Sequence, residues 1–225
     1  GGRSRGPYEL RLGFTPLTPA VDAIVDTRGT RLDGNHDGLA GGTYSFWFAT
    51  ASSSETVFVD KLGPATAADG SLAKPFTTIS AAIAAVNAAN AASPGSRKII
   101  RIVANDAKTP YLVGTTPASQ PLSDGSTFVV PKAVTVMIDA GTVFKLRSAI
   151  IDVGSSQSLS STSRAQAAIQ VLGVPGTPVT FTSYHDDSIG GNSDGVGPTA
   201  AGGQWGGIVL RTDSDLASKR AFVNT

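Results

Sequence analysis

The chain has 225 residues, with 18 Lys and Arg against 17 Asp and Glu, so its net charge is +1. Charged residues make up only 16%, below the roughly 25% of an average soluble domain, and they form no basic stripe for a phosphate backbone, so nucleic acid is not an expected partner. The absence of Cys removes disulfides, zinc thiolate sites and thiol nucleophiles together, while 40% hydrophobic content is enough for a core. No apolar run approaches the roughly 18 residues of a membrane span, and no secretory leader is recognisable at the N-terminus.

In chain order, a Gly-rich start leads directly into a strand-like Tyr8-Glu9-Leu10-Arg11-Leu12, and the chain closes on Ala221-Phe222-Val223-Asn224-Thr225, in the middle of another strand-like run. We therefore expect a piece of a longer polypeptide. A second strand is predicted at Tyr44-Ser45-Phe46-Trp47-Phe48. Between them lies Asp33-Gly34-Asn35-His36-Asp37-Gly38, whose D-x-N-x-D-G spacing puts three oxygen side chains on one side of a tight loop. Calcium needs six to eight such oxygens. A complete EF-hand loop would carry Glu where this chain has Tyr44, so Asp33, Asn35 and Asp37 form a shorter calcium-type loop, with Asp26 or Asp22 as further ligands. An Asx-turn cluster bonded to its own backbone is the competing reading.

A Ser-rich linker, Ala51 to Ser54, precedes the strand Val57-Phe58-Val59-Asp60. Thr77 or Thr78 is placed to cap a helix over Ser80–Ala92, with Ile79, Ala82, Ile83, Val86 and Ala89 or Asn90 on one face. Pro94-Gly95 ends it, and Ile99-Ile100-Arg101-Ile102-Val103 follows as a strand. The order strand, Gly/Pro loop, Lys74-Pro75-Phe76-Thr77-Thr78-Ile79, Ala-rich helix and strand resembles the opening turn of a right-handed parallel β-helix of the pectin-lyase-like kind. In that family the helix plugs the N-terminal end of the coil. An ordinary α/β crossover helix is the alternative.

Further strands are predicted at Phe128–Val130, Val134–Ile138, Val143–Leu146, Ile150–Val153, Ala168–Leu172, Pro178–Ser183, Gly207–Leu210 and Ala221–Val223, all short and bounded by breakers. The phrases "AIQVLGVPGTPVTFTS" and "GGQWGGIVLR" resemble rungs of surface-protein β-helices. A β-sandwich or jelly roll competes, because short strands with regular turns suit it too. The first strands, in "YELRL…RLDGNHDGLAGGTYSFWF", resemble the end of an Ig-like module. Half a sandwich cannot bury its own face, so these strands must pack on the β-helix or be completed by another segment, strand donation between subunits included.

The expected fold is thus all-β: a right-handed parallel β-helix with an N-terminal capping α-helix, residues 55–225, preceded by a few strands of an Ig-like β-sandwich, residues 1–54. A second acidic loop, within Tyr184–Gln204, offers Asp186, Asp187, Asn192 and Asp194 as metal ligands for calcium, or alternatively paired acids for a glycosidase, or simply a solvated connection. No catalytic residues are assigned. Lys145, Arg147 and Asp152 are read as exposed rung positions, and neither His36 nor His185 is placed as a general base. Trp47, Trp205 and Tyr184 could form a sugar-stacking surface, or fill the core. The reading that follows is a non-enzymatic structural or adhesive part of an exported bacterial surface or extracellular fibre protein, with calcium in its loops. Its expected partners are itself, neighbouring modules or a polysaccharide. The alternative is a polysaccharide lyase or hydrolase whose catalytic rungs lie outside this stretch.

Overall fold

The computed structural model describes residues 7–13, 25–34, 38–49, 51–64, 66–105, 109–153 and 167–210. The predicted strand at Ala221–Val223, and Asp22, Asn35, His36 and Asp37, lie outside the described residues. The chain divides into two compact units, residues 1–51 and 52–225.

In the first unit β1 (Pro7–Gly13) and β2 (Thr43–Ala49) pair antiparallel, with Leu10 opposite Phe46. Val25 and Arg31 close a small antiparallel bridge around Asp26. Asp33 bridges to Gly41, and the Gly34 N–H donates to the Gly41 carbonyl at 2.7 Å.

The second unit opens where the sequence suggests a linker, but Ser53–Glu55 is an ordered 3-10 turn. Its Glu55 carboxylate accepts the Ser52 N–H at 2.8 Å and the Lys98 ammonium at 2.7 Å. Then come β3 (Thr56–Val59), α1 (Ile79–Ala92), β4 (Ile99–Ile102), β5 (Tyr111–Gly114), β6 (Phe128–Val130), β7 (Thr135–Asp139), β8 (Val143–Arg147), β9 (Ile151–Val153), β10 (Ala168–Leu172), β11 (Thr180–Ser183) and β12 (Ile208–Leu210). The strands form three parallel sheets, ordered β10-β7-β4-β3, β11-β8-β5 and β12-β9-β6. From β4 onward each strand therefore pairs with the third strand after it, and the chain visits the three sheets in the same rotation each time. Apart from α1 and the 3-10 turn, the regular elements of the described second unit are all parallel strands, which is consistent with the all-β expectation.

Period-two alternation explains why these short runs hold. On each strand one set of side chains faces the interior and meets the same set on its neighbours. Val57, Ile100 and Val136 share one register row, Tyr111 and Phe144 another, and Phe128 and Ile151 a third, all 3% exposed or less. The aromatic members stack, with Phe144 at 5.5 Å from Tyr111, 6.1 Å from Phe128 and 5.1 Å from Phe181. Burying each such aliphatic side chain contributes about 1.5–3 kcal/mol, so the rows carry the stability of strands only three to five residues long.

Helix α1 begins one residue earlier than predicted. Thr78 caps it, its hydroxyl accepting the Ala81 N–H at 3.3 Å, and Ile79, Ala82 and Val86 are fully buried. The small Ala face lets the helix lie close to β3, β4 and β6, of which β3 and β6 are the first strands of their sheets. Near the end of the helix, the Asn90 carboxamide oxygen accepts the Arg97 N–H and its NH2 group donates to the Arg97 carbonyl, each at 2.8 Å, which fixes the return into β4.

Strand β5 was not predicted. Tyr111-Leu112-Val113 is too short to show alternation and stands between Pro110 and Gly114, which read as a loop. Tertiary pairing with β8 makes it a strand.

Candidate functional site: the Tyr184–Gln204 loop and its groove

The long connection between β11 and β12 folds back over the outer face of the β5-β8-β11 sheet, and this overturns one expectation. Lys145, the outward residue at the middle of β8, is not an exposed rung position but fully buried. Leu112 and Thr182 flank it in the register. Its ammonium donates to the Gly191 carbonyl, and an added Cβ on Gly190, which has φ +74°, would sit 3.0 Å from the Lys145 Cε. Asp152, also expected outside, is fully buried in β9 between Val129 and Val209 in its register row. Arg147 is half-buried, its guanidinium donating to the Thr115 carbonyl at 2.9 Å. The structure places Lys145 and Arg147 in one sheet and Asp152 in another.

The four predicted ligands of this loop are nearby in sequence, yet most of their oxygens already have donors. Asp186 accepts the Ser188 N–H at 2.9 Å and the Ser188 hydroxyl on one oxygen, and the Thr182 hydroxyl on the other. The Asn192 carbonyl oxygen accepts the N–H groups of Asp194, at 3.2 Å, and Gly195, at 2.7 Å. Asp194 accepts the Val196 N–H at 3.0 Å on one oxygen, and its other meets His185 Nδ1. These are Asx-turn bonds, the geometry expected of a self-supporting loop. They hold both carboxyls below the usual range: hydrogen bonds from Ser188 and then Thr182 act on Asp186, and those from the Val196 N–H and then His185 act on Asp194. Asp187 keeps one buried oxygen without a hydrogen-bond partner. Among the described residues, no three His, Asp or Glu side chains are grouped to hold a metal ion. Most of these side-chain oxygens are thus engaged by donors of the chain itself, and the Lys145 ammonium reaches the Gly191 carbonyl of the same loop.

In the first unit, Asp26 likewise spends an oxygen on the N–H groups of Arg28 and Thr30, each at 2.8 Å, and Asp33 accepts the Gly38 N–H at 2.9 Å.

Beside the loop lies an open groove of about 390 Å³ lined by Phe181, Thr182, Ser183, Ala200–Gly203 and Trp205. The Trp205 and Phe181 rings stack at 6.5 Å, and both are partly exposed. Of the two readings open for Tyr184, a stacking ring or a core residue, its burial fits the second, and its hydroxyl donates to the Ser193 carbonyl at 2.8 Å. Trp47 lies in β2 of the other unit.

Sequence reasoning missed a buried cluster at the start of α1. Asp124, fully buried, accepts the Leu112 N–H at 2.7 Å, the Ile79 N–H at 3.3 Å, the Ser123 hydroxyl at 3.0 Å and the Lys61 ammonium. The same ammonium donates to the Pro110 carbonyl at 2.8 Å and lies 5.5 Å from the centre of the Tyr111 ring. This cluster ties the β3 loop, α1 and β5 together. It is structural in kind, because its ammonium and carboxylate are spent on other parts of the chain.

Comparison with known proteins finds no family model, no curated protein and no solved structure that matches this chain.

Proposed function

We propose that the second unit is the N-terminal cap and first coils of a right-handed parallel β-helix of the pectin-lyase-like kind, and the first unit the end of an Ig-like module. On this reading the protein is a non-enzymatic structural or adhesive part of an exported bacterial surface or extracellular fibre protein, and its partners are further copies, neighbouring modules or a polysaccharide. One observation carries it: the unbroken three-sheet rotation of parallel strands, with buried rows along each sheet and α1 over its first strands. Such a stack forms a stiff shaft in which each turn is supported mainly by its neighbours. The polar groups described above support a structural role, since they bond the chain to itself. Calcium, in this proposal, belongs to the Asp33–Asp37 loop and stiffens the first unit.

The carbohydrate-active alternative is favoured by one feature, the groove with its Phe181–Trp205 floor beside the Thr182 and Ser183 hydroxyls, since sugars stack on aromatic faces. A panel of plant and bacterial polysaccharides, incubated with the protein and assayed for both retention and cleavage, separates the two. Retention or ordered self-association without cleavage is expected, and release of shortened or unsaturated sugars would overturn the structural reading. For the calcium loop, about a millimolar calcium should raise the melting temperature over that in EDTA, and Asp37→Ala should abolish the rise, since a ligand held only by the folded state must stabilise it. No shift in the unaltered protein would remove calcium from the proposal.

A further inference from the structure

We propose that Lys145 is the built-in cation of the Tyr184–Gln204 loop, so that the loop is held in place by the chain's own ammonium and not by a bound metal. Three observations meet at this side chain. It is fully buried although it is the outward residue of a strand, so the loop itself is what covers it. Its ammonium donates to the Gly191 carbonyl, near the middle of the loop. The loop backbone packs directly on its aliphatic stem, with the position of a Gly190 Cβ 3.0 Å from the Lys145 Cε and 3.1 Å from the Pro110 ring.

The loop's charge completes the case. Burial pushes the Lys145 amine below its ordinary value, and Asp187, Asp186 and Asp194 act in the opposite direction, in that order, each favouring the charged amine. A buried ammonium is tolerated only where it is hydrogen-bonded and its charge is compensated; here the Gly191 carbonyl accepts the hydrogen bond, and the Asp187, Asp186 and Asp194 carboxylates supply opposite charge without direct contact. A divalent ion among the same carboxylates would stand beside a like charge in a poorly solvated place, where repulsion is strong. Asp and Asn residues at calcium-like spacing and a lysine on a neighbouring strand therefore form one electrostatic unit. The inference is independent of the adhesive or enzymatic reading, since it concerns only what fixes this loop.

The test is hydrogen exchange resolved to loop peptides, in EDTA and in a millimolar calcium. In the unaltered protein, protection of residues 185–200 should be the same in both. Lys145→Met keeps the stem and removes the charge, and should speed exchange across the loop by on the order of tenfold while β4 and β7 stay protected. Because Lys145 is buried, a loop-side variant is needed as well. Asp187→Asn, at a partly exposed position, should loosen the same peptides by a smaller factor, equally with and without calcium. Protection that EDTA removes, an Asp187→Asn effect seen only with calcium, or a folded Lys145→Met protein with a fully protected loop would each overturn the proposal.

Discussion

Replacing Asp124 should be among the most damaging single changes in the second unit. Asp124→Ala removes a fully buried carboxylate that receives the Lys61 ammonium and two backbone N–H groups, those of Leu112 and Ile79. Breaking a buried ion pair by deleting one partner costs about 3–5 kcal/mol, chiefly because the remaining charge is stranded. Here the low end of that range applies: the Lys61 side chain is 16% exposed and keeps the Pro110 carbonyl, so water can partly replace Asp124. The two orphaned N–H groups add about 1 kcal/mol each. The sum is about 5 kcal/mol, and at about 2–4 °C per kcal/mol for a unit of this size the melting temperature should fall by about 10–20 °C. Asp124→Asn keeps the shape and one acceptor, and should cost roughly half as much. Urea unfolding followed by near-ultraviolet circular dichroism measures all three proteins. In a double-mutant cycle, Lys61→Met with Asp124→Ala should cost clearly less than the two single changes added together, since the second change removes a charge that the first has stranded. A loss below about 1 kcal/mol for Asp124→Ala, or strict additivity in the cycle, would refute the reasoning.

Gly114 has φ +121°, and a Cβ there would lie 1.8 Å from the Arg147 carbonyl oxygen, so Gly114→Ala must push β5 off β8. We expect little folded protein on expression, with loss of the cooperative thermal transition as the readout; a variant that melts within a few degrees of the parent would contradict the close approach. Glu55 yields a pH prediction. Hydrogen bonds from Lys98 first and then Ser52 lower its carboxyl from 4.5 to about 2, so the folded state favours the ionised form. The stabilisation is complete above the unfolded value and disappears as pH falls from about 4.5 towards 2. Between those limits the melting temperature of Glu55→Gln should fall less steeply than that of the parent. Parallel curves for the two proteins would show that the Glu55–Lys98 pair contributes nothing.

The helix and most of the strands were legible because their signals are local. Thr78, the 3.6-residue spacing of Ile79, Ala82 and Val86, and β-branched runs such as Val134–Ile138 each report on their own segment. The parts that were not legible depend on long-range meetings. Asp124 reads as an ordinary turn residue in Leu-Ser-Asp-Gly, and its role is set by partners 45 and 63 positions away. Strand β5 exists through β8, and Tyr111 is held by its hydroxyl on the Val103 carbonyl at 2.8 Å and the Val59 carbonyl at 3.3 Å. The acidic loop was recognised as a place of interest, but nothing local reveals that a lysine from β8 lies beneath it.

Lys145 also shows why alternation along a strand predicts side and not exposure. In the four-stranded sheet, Phe58, Arg101, Met137 and Gln170 form an outward register row, as Leu112, Lys145 and Thr182 do in the neighbouring sheet. Arg101 and Gln170 are exposed, and Arg101 pairs with Asp139 at 3.0 Å at the surface, an arrangement worth about 0–1 kcal/mol. The sequence pattern is the same in both rows; what differs is whether a long connection returns across the face. Replacing Arg101 or Gln170 should therefore be nearly neutral, whereas replacing Lys145 releases a loop. Among the described residues no such connection crosses Arg101 and Gln170, so Arg101, Asp139 and Gln170 can be altered without disturbing the buried rows behind them.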